Sequence, residues 1–311
     1  MDPETPNNYD LVMVTGPTAS GKTSLAVSIA HRLNGEIISA DSRQVYRGMD
    51  IGTGKDYDDY FIDGSKIPFH LIDIAEPGYK YNVFEYQRDF FRVYKALRDR
   101  NVFPVVCGGS GMYADSIIKG YKMEEVPPDT GLRSRLEKKT LEELSGILAS
   151  MKSLHNVTDI DTKKRVIRAI EIEHYNSNRK AHKSQMPRIN SLVIGVSLER
   201  DVRRQRISMR LKQRLKTGMI EEVKQIIDSG VDPEILIYYG LEYKYITLYL
   251  QGRLTYEKMV SDLEIAIHQF AKRQMTWFRG MEKKGTKIHW IDGELPMEDK
   301  VEKVLGLLYA R

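Results

Sequence analysis

The chain has one cysteine, Cys107, so an intrachain disulfide and any cysteine-based zinc site are excluded, as expected in a reducing compartment. Its neighbours Val102-Phe-Pro-Val-Val-Cys-Gly108 read as a strand, which makes Cys107 a buried packing residue and not a nucleophile. No apolar run approaches the roughly 18 residues of a membrane span, so no membrane association is expected. The opening Met1-Asp-Pro-Glu-Thr-Pro-Asn-Asn8 lacks the basic start and apolar stretch of a signal peptide, which points to the cytoplasm. Acids are scarce in two places. Between Arg200 and Lys216 eight Lys or Arg face Asp201 alone, and between Lys163 and Arg188 eight face Glu171 and Glu173. Solvated helix faces normally interleave acids at i+4, so these clusters favour a polyanion larger than a nucleotide over a bland surface.

What is present is more specific. Gly16-Pro17-Thr18-Ala19-Ser20-Gly21-Lys22-Thr23 matches G-x-x-x-x-G-K-[ST], a loop that wraps a phosphate in backbone N–H groups. Lys22 supplies a point charge, and the Thr23 hydroxyl can reach a Mg²⁺. The apolar run Asp10–Thr15 reads as a buried strand and Ser24–Leu33 as a helix, which puts a helix N-terminus at the phosphates.

Further strands are expected at Glu36–Ser39, Lys66–Ile74, Val102–Cys107, Ser191–Leu198 and Lys287–Ile291, with helical stretches between them. That alternation predicts an α/β fold, a P-loop NTPase-like parallel sheet flanked by helices, with ligands at the carboxyl ends of the strands. From 123 to 186 the strand rhythm stops, and an all-helical, basic insertion is expected between core segments 1–122 and 187–311. Within it, Val166, Ile167, Ile170 and Ile172 leave Lys163, Lys164, Arg165 and Arg168 on other helix faces, with no acid expected to partner that basic surface.

Most chains with this loop move a terminal phosphoryl group, and they carry a strand ending in an acid that holds Mg²⁺. Here the strand before Gly108-Gly109 ends in glycine, and Asp73 is a weak substitute. The loop therefore suits a diphosphate that leaves. Asp41 follows Ile37-Ile38-Ser39-Ala40, a strand expected beside the first, near the loop mouth. It has two readings: a base that accepts a proton, or an N-cap for the next helix.

These motifs, together with Asp41–Lys55, His70–Ile74, Gly108–Tyr113, Arg165–Glu171 and Ala271–Arg279, occur in an order that resembles the tRNA dimethylallyltransferases over nearly the whole chain. The resemblance implies transfer of a dimethylallyl group from dimethylallyl diphosphate to N6 of adenosine 37 in the anticodon stem-loop of tRNA, with Mg²⁺, by a monomer. It implies catalytic roles for Asp41, Arg210 and Thr18. It implies diphosphate binding by Gly16–Thr23, with Mg²⁺ at Thr23, and Arg206 is placed beside Arg210 by its i−4 spacing. Contacts to tRNA fall on Asp41, Ser42, Arg43, Gln44, Ser110, Arg133, Lys164, Arg165, Val166, Ile167, Arg168, Lys272, Arg273, Gln274, Thr276, Trp277 and Arg279. Tyr46, Tyr113, Trp277 and Phe278 are either base-stacking or core residues. Three positions depart from the family's usual pattern: Ser110 for threonine, Tyr239-Gly240-Leu241-Glu242-Tyr243 for a basic loop, and Arg214 for methionine. The alternatives are a P-loop nucleotide or small-metabolite kinase and a nucleotide-gated nucleic-acid-binding switch.

Overall fold

The computed structural model describes residues 9–121, 123, 125–152, 160–177 and 187–310. In chain order these form β1 (Leu11–Thr15), α1 (Lys22–Arg32), β2 (Glu36–Ser39), the hairpin β3 (Phe61–Ile62) and β4 (Ser65–Lys66), β5 (Phe69–His70), α2 (Val83–Asp99), β6 (Pro104–Gly108) and α3 (Gly111–Ile118). Helices α4 (Thr130–Leu136), α5 (Leu141–Met151) and α6 (Lys163–Ser177) follow. The chain then gives β7 (Ser191–Ser197), α7 (Arg200–Lys216), α8 (Met219–Asp228), α9 (Pro233–Tyr239), α10 (Leu241–Leu250), α11 (Tyr256–Lys283), β8 (Ile288–Asp292) and α12 (Met297–Tyr309). No helix among the described residues is long and apolar enough to cross a membrane.

Two compact units divide the chain, one from residues up to 121 and from 187 onward, the other from residues 122–186. The first holds a six-stranded sheet in the order β5-β2-β6-β1-β7-β8, every pair parallel. Its central strands β1 and β6 are buried throughout and largely apolar, as strands covered on both faces must be. Val12, Val14 and Leu25 pack with α12 on one face, while Met13, Val106, Tyr86 and Phe278 pack on the other. The arrangement is P-loop NTPase-like.

Two sequence expectations need correction here. Strand β2 does not lie beside β1, because β6 is hydrogen-bonded to both and separates them. The long strand expected over Lys66–Ile74 keeps only Phe69 and His70 in the sheet, because Leu71 and Asp73 take left-handed backbone conformations that break the pleat.

The second unit has its own core of Leu132, Leu136, Leu144, Leu148, Val166, Ile167 and Ile170. The side chains of Val166 and Ile167, expected at the tRNA, are buried in this core. The basic face also has acids within the unit. Glu171, almost fully buried, accepts from Arg133 Nε at 2.8 Å and Nη2 at 2.7 Å and pairs with Arg168, while Arg165 pairs with Asp161. These cations sit three or four residues from an acid, or across from one on a neighbouring helix, which a run of Lys and Arg in the sequence conceals. Of the same basic cluster, Arg179, Lys180 and Lys183 lie outside the described residues, as do Met1–Asn8 and the Gln185-Met186 turn.

Candidate functional site

The register aligns Thr15 with Gly108 and Gly195, so β1 and β6 end together and β7 runs two residues further toward the same edge, to Ser197. Gly21 enters α1 with φ +85°, a left-handed cap that turns the preceding N–H groups inward. Gly108 is required by contact: a Cβ there would lie 2.2 Å from the Ala40 carbonyl oxygen, which explains why β6 ends in glycine where an NTPase carries an acid. That close approach brings the 41–44 turn to the phosphate loop although β2 and β1 are not neighbours.

The loops surround a cavity of about 620 Å³. Thr18, Ala19, Gly21, Lys22 and Thr23 line it from the phosphate loop, Asp41–Gln44 from the turn after β2, and Gly109–Tyr113 from the loop after β6. Gly16, Pro17 and Ser20 are buried behind them and shape the loop without facing the cavity. Cys107 is at the floor; burial pushes its thiol up to about 11, so it stays neutral.

Lys22 has no carboxylate within ion-pair distance among the described residues, and burial pulls its ammonium below the ordinary lysine value. Such a desolvated cation gains most from an arriving anion. From α7, Ile207 and Leu211 point into the core while Arg210 and Arg214 line the cavity one turn apart. Arg210 donates to the Thr18 hydroxyl. Burial, then Arg214, pulls its guanidinium down to about 10, which leaves it charged at neutral pH. Arg214 donates to Asp56 at 3.1 Å. Arg206 lies outside the lining, because each four-residue step overshoots a full turn by roughly 40°, and it repels Lys300 of α12 instead.

Asp41 uses one carboxylate oxygen, Oδ1, to accept from the Arg43 N–H at 2.9 Å, a turn-capping bond. Its Oδ2 has no protein hydrogen-bond partner among the described residues and is available to the cavity. Asp41 thus caps a turn and not the helix expected after β2, and its second oxygen is left facing the cavity. Ser42 N donates to Ser110 Oγ at 2.9 Å, which ties the turn to the loop after β6.

Several expected RNA contacts are internal ties. Gln274 of α11 accepts from Thr18 N and donates to Gly109 O, both at 2.9 Å, so its amide straps two loops together. Gln44 donates to Gly54 O at 3.0 Å and accepts from Ser39 Oγ. Arg133 and Arg168 are engaged by Glu171 as described. Tyr46, Tyr113 and Phe278 are core, whereas Trp277 is partly exposed and lines the cavity. Lys272, Thr276 and Arg279 are exposed outside the lining, Arg273 lines it, and Lys164 is exposed with no ion-pair partner among the described residues. Asp73 is taken by Lys55 and Tyr57 and does not face the cavity.

Sequence reasoning missed Arg214 and Glu242 as cavity residues. Arg214 carried a usable signal, its i+4 spacing from Arg210. Glu242 lines the cavity with both arginines nearby; burial raises its carboxyl despite their attraction.

Comparison with known proteins agrees with this geometry. The family model for IPP transferase matches residues 44–281, and that for isopentenyl transferase matches residues 9–68. The chain is 59% identical over 297 residues to tRNA dimethylallyltransferase 2 of Bacteroides fragilis, covering 96% of this chain and 97% of that protein. It is 50% identical to tRNA dimethylallyltransferase 1 of Syntrophus aciditrophicus, covering 92% and 94%. Among solved structures, the tRNA isopentenylpyrophosphate transferase of Bacillus halodurans superposes with a TM-score of 0.70 at 32% identity, covering 97% of this chain and 95% of that one.

Proposed function

The chain belongs to the IPP transferase family, and from that premise we propose that it transfers a dimethylallyl group from dimethylallyl diphosphate to N6 of adenosine 37 in the anticodon loop of tRNA. The observation that carries the reading is the juxtaposition of a phosphate loop and a half-free carboxylate, Asp41, in one cavity. The bond that breaks joins the allylic carbon to the diphosphate oxygen, and the bond that forms joins that carbon to N6. Charge grows on the leaving oxygens, and fixed donors count most there: the loop N–H groups, Lys22 and Arg210. The exocyclic amine is a weak nucleophile because its lone pair is delocalised into the ring. Asp41 Oδ2 receives its proton as the C–N bond forms. Thr18, held by Arg210, keeps that guanidinium aimed at the loop.

No group of three or more His, Cys, Asp or Glu side chains able to hold a metal occurs among the described residues. A Mg²⁺ fits the site through the Thr23 hydroxyl, the diphosphate oxygens and water, and it would supply further charge neutralisation on the leaving group. Exposed cations, Lys164 and Arg165 in the second unit and Lys272, Arg273 and Arg279 on α11, contact the tRNA backbone. Adenosine 37 must leave its stack to reach Asp41. The protein works as a cytoplasmic monomer.

Purified protein incubated with Mg²⁺, labelled dimethylallyl diphosphate and a tRNA transcript should transfer label to the RNA. Mass spectrometry of the nucleosides should place it on N6 of adenosine 37. Transfer of phosphoryl label from ATP to a small acceptor, with unlabelled RNA, would instead favour the kinase alternative.

A further inference from the structure

Large apolar side chains are expensive to leave in water unless something covers them. Four that remain exposed, Met112, Tyr238, Phe270 and Trp277, line the one cavity that holds Asp41 and the phosphate loop. Tyr238 is the extreme case at 57% exposed. Its ring lies against two cations, with Arg43 Cζ and Lys80 Nζ each 5.9 Å from the centroid. Its backing is rigid. The next residue, Tyr239, is buried, packs against Tyr46 with ring centroids 4.3 Å apart and planes tilted by 41°, accepts from Gly78 N and donates to Tyr79 O. Arg43 also fixes where the ring sits relative to the chemistry, because its backbone N–H is the group that caps Asp41 Oδ1.

We propose that Tyr238 is a stacking platform for an unpaired base next to the acceptor adenosine, with Arg43 and Lys80 holding the phosphates on either side. The proposal rests on the RNA-prenylating reading above and adds a binding residue to it. An exposed aromatic ring flanked by cations is the combination that single-stranded nucleic acid uses: the ring takes a base face, and the cations take the backbone. A peptide or apolar partner would not need both cations at the ring. Neither would dimethylallyl diphosphate, whose charge is met at the phosphate loop, away from this rim. The ring reads stacking and not hydrogen bonds, so it should favour purines over pyrimidines at the neighbouring position.

The test uses a synthetic anticodon stem-loop with 2-aminopurine on one or the other side of the acceptor adenosine. With intact protein, the fluorophore that stacks on Tyr238 should be quenched on binding. Tyr238→Ala should remove that quench and weaken stem-loop binding by about 5- to 150-fold, the range of one base–aromatic stack, raising KM for RNA more than it lowers kcat. Tyr238→Phe should restore binding to within about 2-fold, since a phenyl ring stacks as a phenol does. Lys80→Ala should lower the salt slope of binding by about one. Thermal melting and calorimetry with dimethylallyl diphosphate show whether the alanine variant stays folded with its cradle intact. Unchanged RNA binding by Tyr238→Ala, or a phenylalanine variant as weak as the alanine one, would overturn the platform while leaving the transferase reading standing. Failure of the intact protein to prenylate the stem-loop at all would remove that reading, and the platform with it.

Discussion

At the scale of single residues, the proposed reaction gives some groups to the leaving diphosphate and others to RNA. Arg210→Ala should lower the single-turnover rate by about 10²- to 10³-fold, the cost of losing one aligned donor to a developing oxyanion, with stem-loop affinity changed far less. Lys164→Ala should do the reverse, weakening RNA binding and reducing its salt slope by about one, because it is exposed and without an ion-pair partner among the described residues. Rapid-quench rates and filter binding on both variants check this; equal effects on rate and affinity would show the roles to be wrongly divided. The sequence marks these positions well where a motif fixes the backbone, as at Lys22, Thr23 and Asp41. It marks them poorly where a side chain can point either way. Gln274 is a polar residue on a basic helix, and nothing in its neighbours tells that its amide is spent between Thr18 and Gly109. Replacing it with leucine should loosen the phosphate loop, costing about 1–3 kcal/mol for the buried groups left unpaired, read as a lowered Tm that dimethylallyl diphosphate only partly restores.

At the scale of elements, the helical insertion depends on one carboxylate. Burial works against the charged form of Glu171, yet hydrogen bonds from Arg133, Arg168 and the Asp129 N–H outweigh it and hold the carboxyl below the usual carboxylate range. A depressed folded-state pKa contributes stability that is present above the unfolded value and lost as pH falls through the folded one. Helix α6 should therefore loosen as the pH drops below about 4, seen as faster amide exchange there than in β1 or β6. Glu171→Gln should raise exchange in α6 already at neutral pH and flatten its acid dependence. The effect should be no more than about 1–2 kcal/mol, because Arg133 and Arg168 are partly exposed and screened. An exchange profile identical to that of the unaltered chain would contradict the assignment. This element was only half legible. Its helices and apolar stripe follow from periodicity, but the Arg133–Glu171 pairing joins residues 38 apart and is set by how α4 and α6 pack.

At the scale of the whole molecule, alternating strands and helices in the sequence imply a parallel sheet with its ligands at one edge, and that is the architecture observed. Strand neighbours are another matter. They depend on which loops can cross, and β6 lies between β2 and β1, with Gly108 in close contact with the Ala40 backbone at the end of β2. The second unit has its own core, so replacing residues 123–186 with a short Gly/Ser linker should leave a folded chain that binds dimethylallyl diphosphate and loses affinity for tRNA, measured by thermal shift and by RNA binding. An unfolded product would mean that the sheet unit needs the insertion. The central claim is that one cavity joins a leaving-group cradle to a proton acceptor at Asp41. The measurement that tests it most directly is the single-turnover rate of allyl transfer with both substrates saturating, for the intact chain and for Asp41→Asn, which can keep the Arg43 capping bond but cannot serve as the base. The account predicts a rate lower by about 10²- to 10⁴-fold with tRNA affinity within several-fold; a rate close to that of the intact chain would contradict it.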